Sequence, residues 1–283
     1  MHLDLTVFLA VLTAAALHAG WNALIKIRLD PFLAMTLICF ACGVIALPAL
    51  LVTGLPKAAA WPWIIASVAI HLGYYLFLAE AYRRADMGQI YPIARGAAPL
   101  MTAVVSLFVV HDPISLGNGL GIALLGCGVL LISLRGHRHL VAPSRIAISC
   151  ALLTAVTIAA YTIVDGIGAR VAGDANAYAA ALFTVDAYPM LLLCLWWKGV
   201  DGIKPVFGFL APGFAGGAMS LAAYWIAIWA MTVAPIALVA AIRETSILFA
   251  GLIAVIFLKE PMTRVRAASA ALILGGLVCM RVF

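Results

Sequence analysis

The sequence predicts an all-α integral membrane protein of ten transmembrane helices arranged as two inverted five-helix repeats, and three observations carry that prediction. Hydrophobic residues make up 66% of the chain and charged residues only 10%, with a mean hydropathy of +1.16. A soluble domain needs about a quarter of its residues charged to cover its surface, so the bilayer must act as solvent here. The apolar residues fall in long unbroken runs, such as Leu100 to Val110 and Ile247 to Leu258. Barrel strands would instead alternate apolar and polar over about ten residues, so the spans are helices. Finally, the two halves of the chain repeat a common set of motifs in the same order.

Apolar windows bounded by charge, Pro and Gly place the spans at 4–25, 31–53, 61–83, 87–110, 116–134, 145–168, 176–197, 205–231, 235–258 and 264–282. The first begins without a basic n-region or a small-residue cleavage pattern, so it reads as a span rather than a signal peptide. His18 and Asn22 stand four apart on one of its faces, with Trp21 adjoining. The second carries Cys39 and Cys42; with no second pair or histidine cluster, this CxxC reads as buried small hydrophobes and no metal is expected. The third places His71 and Tyr74 on one face beside Tyr75, and ends on Glu80, Arg83 and Arg84, a structural ion pair near the interface.

The fourth span contains Tyr91-Pro-Ile-Ala-Arg95. Arg95 lies about eight residues in, roughly 12 Å deep at 1.5 Å per residue. The fifth is rich in glycine (Gly117, Gly119, Gly121, Gly126, Gly128), as close helix–helix approach requires. The polar stretch Arg135-Gly-His-Arg-His139 then divides the chain into repeats at 1–138 and 139–283. The sixth span aligns Thr157, Tyr161 and Asp165 on one face. In the seventh, Asp186 lies before Tyr188-Pro189 with no local base. It is a candidate for proton coupling; the plainer reading is a hydrogen bond to a neighbouring helix. The eighth supplies Tyr224, Trp225 and Trp229, the ninth holds Ala240-Ala-Ile-Arg243 followed by Glu244, and the tenth again carries small residues, from Ala267 to Gly276. Pro92, Pro99, Pro189, Pro212 and Pro235 can kink or begin spans.

The repeat rests on a shift of 148: Tyr91-Pro-Ile-Ala-Arg95 aligns with Ala240-Ala-Ile-Arg243, and His111-Asp-Pro113 with Lys259-Glu-Pro261. Trp21-Asn22 has a weaker counterpart in Tyr161-Thr162. Five spans per half is an odd number, so the second half must enter the membrane upside down. Equivalent loops agree with that inversion: Arg83 and Arg84 follow span three, whereas Thr232 to Pro235 after span eight has no charge. Inverted repeats around a midplane site are the architecture of many secondary transporters.

On these motifs the sequence resembles the EamA-type branch of the drug/metabolite transporter superfamily over essentially its whole length. The resemblance implies a multi-pass protein of the cell inner membrane that moves a small molecule, with no soluble domain and the fifth and tenth spans packed away from the substrate path. It does not select a cargo, since similar proteins carry amino acids, nucleotide-sugars, sugar phosphates, cations and drugs. It implies termini in the cytosol, whereas the Lys and Arg count, concentrated in odd-numbered loops, places both termini outside.

A buried charge at a helix centre costs about 2.5–3.5 kcal/mol on insertion scales, so Arg95 and Arg243 ask for a reason. Facing each other across a pseudo-two-fold axis, they would form a fork for a carboxylate or phosphate. The competing reading is structural neutralisation, with Glu244 the nearest partner for Arg243. His18, Trp21, Asn22, His71, Tyr74, Tyr91, Tyr161, Tyr224 and Trp225 would supply aromatic walls and polar hooks to a pocket. The expected function is alternating-access transport of a small polar metabolite, favouring an organic anion or zwitterion. An exporter of cationic or amphiphilic compounds would instead use Glu244, Asp186 and the aromatics. An intramembrane enzyme would need an HExxH cluster or an activated nucleophile, and neither motif appears; nor does a P-loop or a cofactor motif. The expected partners are the substrate and the lipid bilayer, not nucleic acid. Two repeats in one chain allow a monomer, and a homodimer stays open.

Overall fold

The computed structural model describes residues 3–25, 29–84, 87–135, 144–256, 259 and 261–282. Lys26 and Arg28, which the Lys and Arg count of the first loop rests on, and His137, Arg138, His139 and Glu260 lie outside the described residues. Helices account for nearly everything described: α1 (Leu5–Ile25), α2 (Pro31–Thr53), α3 (Trp61–Arg84), α4 (Met87–Val105), α5 (Leu116–Arg135), α6 (Arg145–Ala172), α7 (Ala175–Ile203), α8 (Leu210–Val233), α9 (Ile236–Arg243), α10 (Ser246–Ile256) and α11 (Arg264–Val282). No strand occurs among the described residues.

Eight helical stretches are long and apolar enough to cross a membrane. One of them, Ala175–Val233, holds α7 and α8 in succession, and the shorter apolar stretch Leu116–Ile132 belongs to α5. Polarity is distributed inside out. Ser67, His71, Arg95, Asp165, Asp186 and Arg243 are buried, while Leu51, Val52, Phe108 and Leu116 face outward. In lipid this is the favourable arrangement, because charges belong in the bundle interior and apolar side chains on its rim.

Helix starts are capped where the sequence turns polar. Asp30 accepts from the backbone N–H groups of Phe32 (3.1 Å) and Leu33 (3.2 Å), with Pro31 opening α2. Ser144 and Asp174 cap α6 and α7 in the same way.

Packing pairs the helices reciprocally. α1 lies on α8 and α3 on α6; α2 lies on α7, α4 on α9, and α5 on α11. The last pair approaches closely because glycines face each other: a Cβ added at Gly276 would lie 2.6 Å from the carbonyl oxygen of Gly121. His111 (φ 59°) and Lys259 (φ 54°) are the two non-glycine residues with left-handed backbones among those described. They stand 148 apart (259 − 111), which is the shift of the sequence repeat.

Two spans depart from the expected outline. The window 235–258 is not one helix but two, α9 and α10, broken at Glu244 and Thr245. The Thr245 hydroxyl donates to the carbonyl of Ile242 (2.7 Å), while the backbone N–H groups of Glu244 and Thr245 bond only three residues back. That tightening ends α9 inside an otherwise apolar run. At the far end of the fourth window, α4 passes into a π-helical turn over Ser106–Val110.

Candidate functional site

The break between α9 and α10 lies at the centre of a buried polar assembly. Arg95, from α4, donates through Nε to Glu244 Oε2 (3.0 Å), its Nη2 stands in ion-pair contact 2.8 Å from Oε1, and both side chains are about 4% exposed. Helix α9 ends one residue earlier, which frees Glu244 to turn toward α4 rather than toward its neighbour Arg243. The sequence offered Glu244 as the nearest partner for Arg243; the structure gives it to Arg95 instead.

Arg243 is therefore a buried cation of a different kind. Its guanidinium lies 4.7 Å from the centre of the Tyr224 ring and makes no hydrogen bond or ion pair among the described residues. A cation over an aromatic face gains about 0.5–2 kcal/mol, which offsets only part of its burial.

Tyr224 links that cation to a carboxylate. Its hydroxyl donates to Asp165 (2.6 Å), which also accepts from Tyr178 (2.9 Å). Rings from three helices gather around it. His71 stacks on Tyr161 at 4.2 Å and meets Tyr224 edge-on at 5.9 Å, while Tyr161 meets Tyr224 edge-on at 5.6 Å and Tyr74 at 5.7 Å. The His71 Nδ1 is paired with the Ser67 hydroxyl at 3.1 Å. The i, i+4 spacing of Tyr161 and Asp165 on α6 puts both in this cluster.

His18 stands nearby on α1, within electrostatic reach of Arg95 and Arg243. Its Nδ1 accepts from the Trp21 indole N–H at 3.1 Å, and the rings meet edge-on. Asn22 turns back to its own helix, donating to the His18 carbonyl at 2.8 Å. Asp186 on α7 accepts from the Tyr75 hydroxyl at 2.6 Å.

Thus Arg95, Arg243 and Glu244 lie at the helix break with His18 in electrostatic reach and Trp21 bonded to it, and His71, Tyr74, Tyr161 and Tyr224 form an aromatic cluster that Arg243 meets through Tyr224. Trp225 does not join them. One residue on from Tyr224, it projects from another side of α8 and donates to Asn176 at 2.9 Å. Tyr91 lies on α4, and its side chain is outside the described residues. Glu80 is paired with Arg83 (2.7 Å) and with Arg84 at the exposed end of α3, away from this assembly. Among the described residues no group of three or more His, Cys, Asp or Glu could hold a metal ion.

Sequence reasoning passed over two features. Asp165 was visible only as a residue on the Tyr161 face, because its donors come from α7 and α8. The other is a clasp at one end of the bundle. Arg170, at the end of α6, donates to Asp112 Oδ1 (2.8 Å) and Oδ2 (3.1 Å) and to the carbonyls of Met231 (2.9 Å) and Ala234 (3.1 Å). Asp112 in turn accepts from the backbone N–H of Ile236 (2.8 Å), capping α9 from outside its own segment. The acidic-Pro motif at 111–113 was the available signal for it.

A helical membrane bundle with a discontinuous helix and charged groups beside the break has the architecture of a membrane transporter. The comparisons agree. The model of the EamA-like transporter family matches residues 4–134 and again 145–282, and the chain belongs to that family, within the drug/metabolite transporter superfamily. A solved structure described only as the crystal structure of a protein superposes with a TM-score of 0.79 at 18% identity, covering 98% of each chain. That likeness shows the fold. No curated protein matches the chain.

Proposed function

We propose that this protein is a secondary transporter of a small polar metabolite bearing a carboxylate, phosphate or phosphonate, an organic anion or zwitterion, working by alternating access across the cell inner membrane. The carrying observation is the buried Arg243 guanidinium, which has Tyr224 beneath it and no carboxylate within ion-pair distance among the described residues. A cargo anion would supply the missing counter-charge, and Arg can hold it through two parallel hydrogen bonds. Arg95, already matched by Glu244, would shape the site rather than bind cargo.

The moving parts in this reading are two inverted five-helix repeats, 1–138 and 139–283, giving ten spans in which α9 and α10 together form the ninth. Three features support it: the reciprocal pairing of α1 with α8 and α3 with α6, the self-paired α2–α7 and α5–α11 contacts, and the left-handed residues 148 apart. Asp186, buried beside Tyr75, is the proton-coupling candidate.

A cationic or amphiphilic cargo is the second reading. It draws on the Asp165 and Asp186 carboxylates that flank the His71–Tyr161–Tyr224 rings.

The test is the melting temperature of detergent-purified protein against a panel of anionic, zwitterionic and cationic metabolites, for wild type and Arg243→Gln. A ligand at 100 times its dissociation constant adds about 2.7 kcal/mol of stability. An organic anion that stabilises wild type but not the variant is the expected result. Stabilisation of both proteins by cations alone would overturn the anion reading in favour of the second.

A further inference from the structure

Away from the central assembly, a cleft of about 700 Å³ opens on the side of the bundle where α2 begins and α3 and α7 end. Its floor is apolar, built from Phe32, Leu76, Phe77 and Leu193. Its rim carries Trp196 and Trp197, 82% and 66% exposed, with Phe32 meeting Trp197 edge-on at 5.6 Å. Exposed tryptophans at the end of a spanning helix mark the membrane–water interface, so the floor faces acyl chains and the rim faces headgroups.

The polar groups at the rim are sorted by what remains unspent. The Asp30 carboxylate caps α2, and Glu80 is occupied by Arg83 and Arg84. Lys198 makes no ion pair or hydrogen bond among the described residues. Neither do the indole N–H groups of Trp196 and Trp197. Arg83, with one nitrogen on Glu80, has a side chain 68% exposed. Gly199, with φ 65° and ψ 178°, takes the chain out of helical geometry immediately after Lys198, which lines the cleft. The groups left over are donors, two of them cationic, above an apolar floor.

We propose that this cleft binds a membrane glycerophospholipid, with its phosphodiester against Lys198, Arg83 and the indole N–H groups and an acyl chain along Phe77 and Leu193. Charge complementarity selects the phosphodiester, and the rim belongs to the odd-numbered loops, which together hold most of the Lys and Arg and draw anionic headgroups. The bound lipid would pack against the ends of both helices that carry the Tyr75–Asp186 hydrogen bond.

Native mass spectrometry of the full chain in mild detergent tests this, titrating palmitoyl-oleoyl phosphatidylglycerol, the corresponding phosphatidylcholine, diacylglycerol and dodecyl phosphate. One phosphatidylglycerol should bind, with phosphatidylcholine within a few-fold because it keeps the phosphodiester. Diacylglycerol should bind at least about tenfold more weakly. Each cation contributes about fivefold, so Arg83→Gln/Lys198→Gln should weaken binding more than tenfold and Lys198→Gln alone about fivefold. Leu193→Trp, which fills the floor, should abolish retention. Lys57→Gln, at the opposite end of α3, should change nothing. Lys57, Arg83 and Lys198 are exposed, so melting temperatures of their variants should match wild type and separate lost binding from lost fold. Equal binding by the double variant or by diacylglycerol would overturn the phosphate assignment. Dodecyl phosphate binding as tightly as the diacyl lipids would identify the occupant as a soluble amphiphile instead.

Discussion

The Arg95 guanidinium and the Glu244 carboxylate meet through one hydrogen bond of 3.0 Å and an ion-pair contact of 2.8 Å, tying α4 in the first half of the chain to the helix break in the second. Both groups are buried, so each depends on the other to balance its charge. Breaking such a pair from one side costs about 3–5 kcal/mol, because an uncompensated charge stays behind. Arg95→Gln and Glu244→Gln should each destabilise by about that amount, measured by equilibrium unfolding in mixed micelles. The double variant Arg95→Met/Glu244→Met should recover most of the loss. Additive losses would mean that the two residues do not act as a pair.

Tyr224 has two separable roles, a ring under Arg243 and a hydroxyl on Asp165. Tyr224→Phe keeps the ring and removes a hydrogen bond to a charged group, worth about 1.5–3 kcal/mol. It should lower stability by that order and leave anion affinity within a few-fold of wild type. Tyr224→Leu removes the aromatic face as well and should weaken the anion-induced melting shift. Equal affinity in both variants would separate Arg243 from the ring beneath it.

Much of this arrangement could be read in the sequence, and the limits are physical. Helix type follows from apolar run length, and the burial of Arg95 and Arg243 from their place inside apolar spans. The coincidence of His111 and Lys259 with the 148 shift was also visible, as an alignment of acidic-Pro motifs. The break at Glu244–Thr245 was not, because hydrophobicity continues through Ser246–Ile256 and only the Thr245 side chain signals a stop. Without the break, Glu244 seemed to belong to Arg243. Trp225 was grouped with Tyr224 by adjacency, although neighbours on a helix point about 100° apart. Asp165 and the Arg170–Asp112 clasp needed partners 13 to 64 residues away, which no local spacing rule supplies.

The clasp should hold one end of the bundle shut. Four donor–acceptor contacts from Arg170 and the Asp112 cap on Ile236 join the ends of α6 and α8 to the start of α9. Asp112→Ala removes the cap and leaves the guanidinium without its carboxylate. Amide hydrogen exchange across 231–239 should then speed up by about tenfold or more, as expected when a contact of about 1–2 kcal/mol is lost at a helix start. Unchanged exchange there would show that α9 starts without help from Asp112.

Two adjacent glycines in α11 offer an internally controlled test of the α5–α11 contact. A Cβ at Gly276 would lie 2.6 Å from the Gly121 oxygen and 2.9 Å from the Leu125 nitrogen, whereas Gly275 has nothing within 4 Å. Gly276→Ala should destabilise by about 1–3 kcal/mol through overpacking against backbone. Gly275→Ala should be neutral or add about 0.5–1 kcal/mol by reducing the freedom of the unfolded chain. Equal melting temperatures for the two variants would mean that α5 and α11 are further apart in the membrane.

Asp186 is the residue on which the proposed proton coupling rests. Its carboxylate is buried on α7 with the Tyr75 hydroxyl at 2.6 Å, a single donor from α3, so a proton could be taken and released without breaking an ion pair. Asp186→Asn keeps the shape and a hydrogen-bonding partner for Tyr75 but cannot exchange a proton. In proteoliposomes the variant should lose accumulation driven by a pH gradient, while exchange of labelled for unlabelled cargo at equal pH continues. Tyr75→Phe should keep gradient-driven accumulation and lower stability by about 1–2 kcal/mol, since it removes the donor and leaves the titrating group in place. If Asp186→Asn accumulates cargo as wild type does, the carboxylate is only a hydrogen-bond acceptor that fastens α7 to α3, and the driving force enters elsewhere.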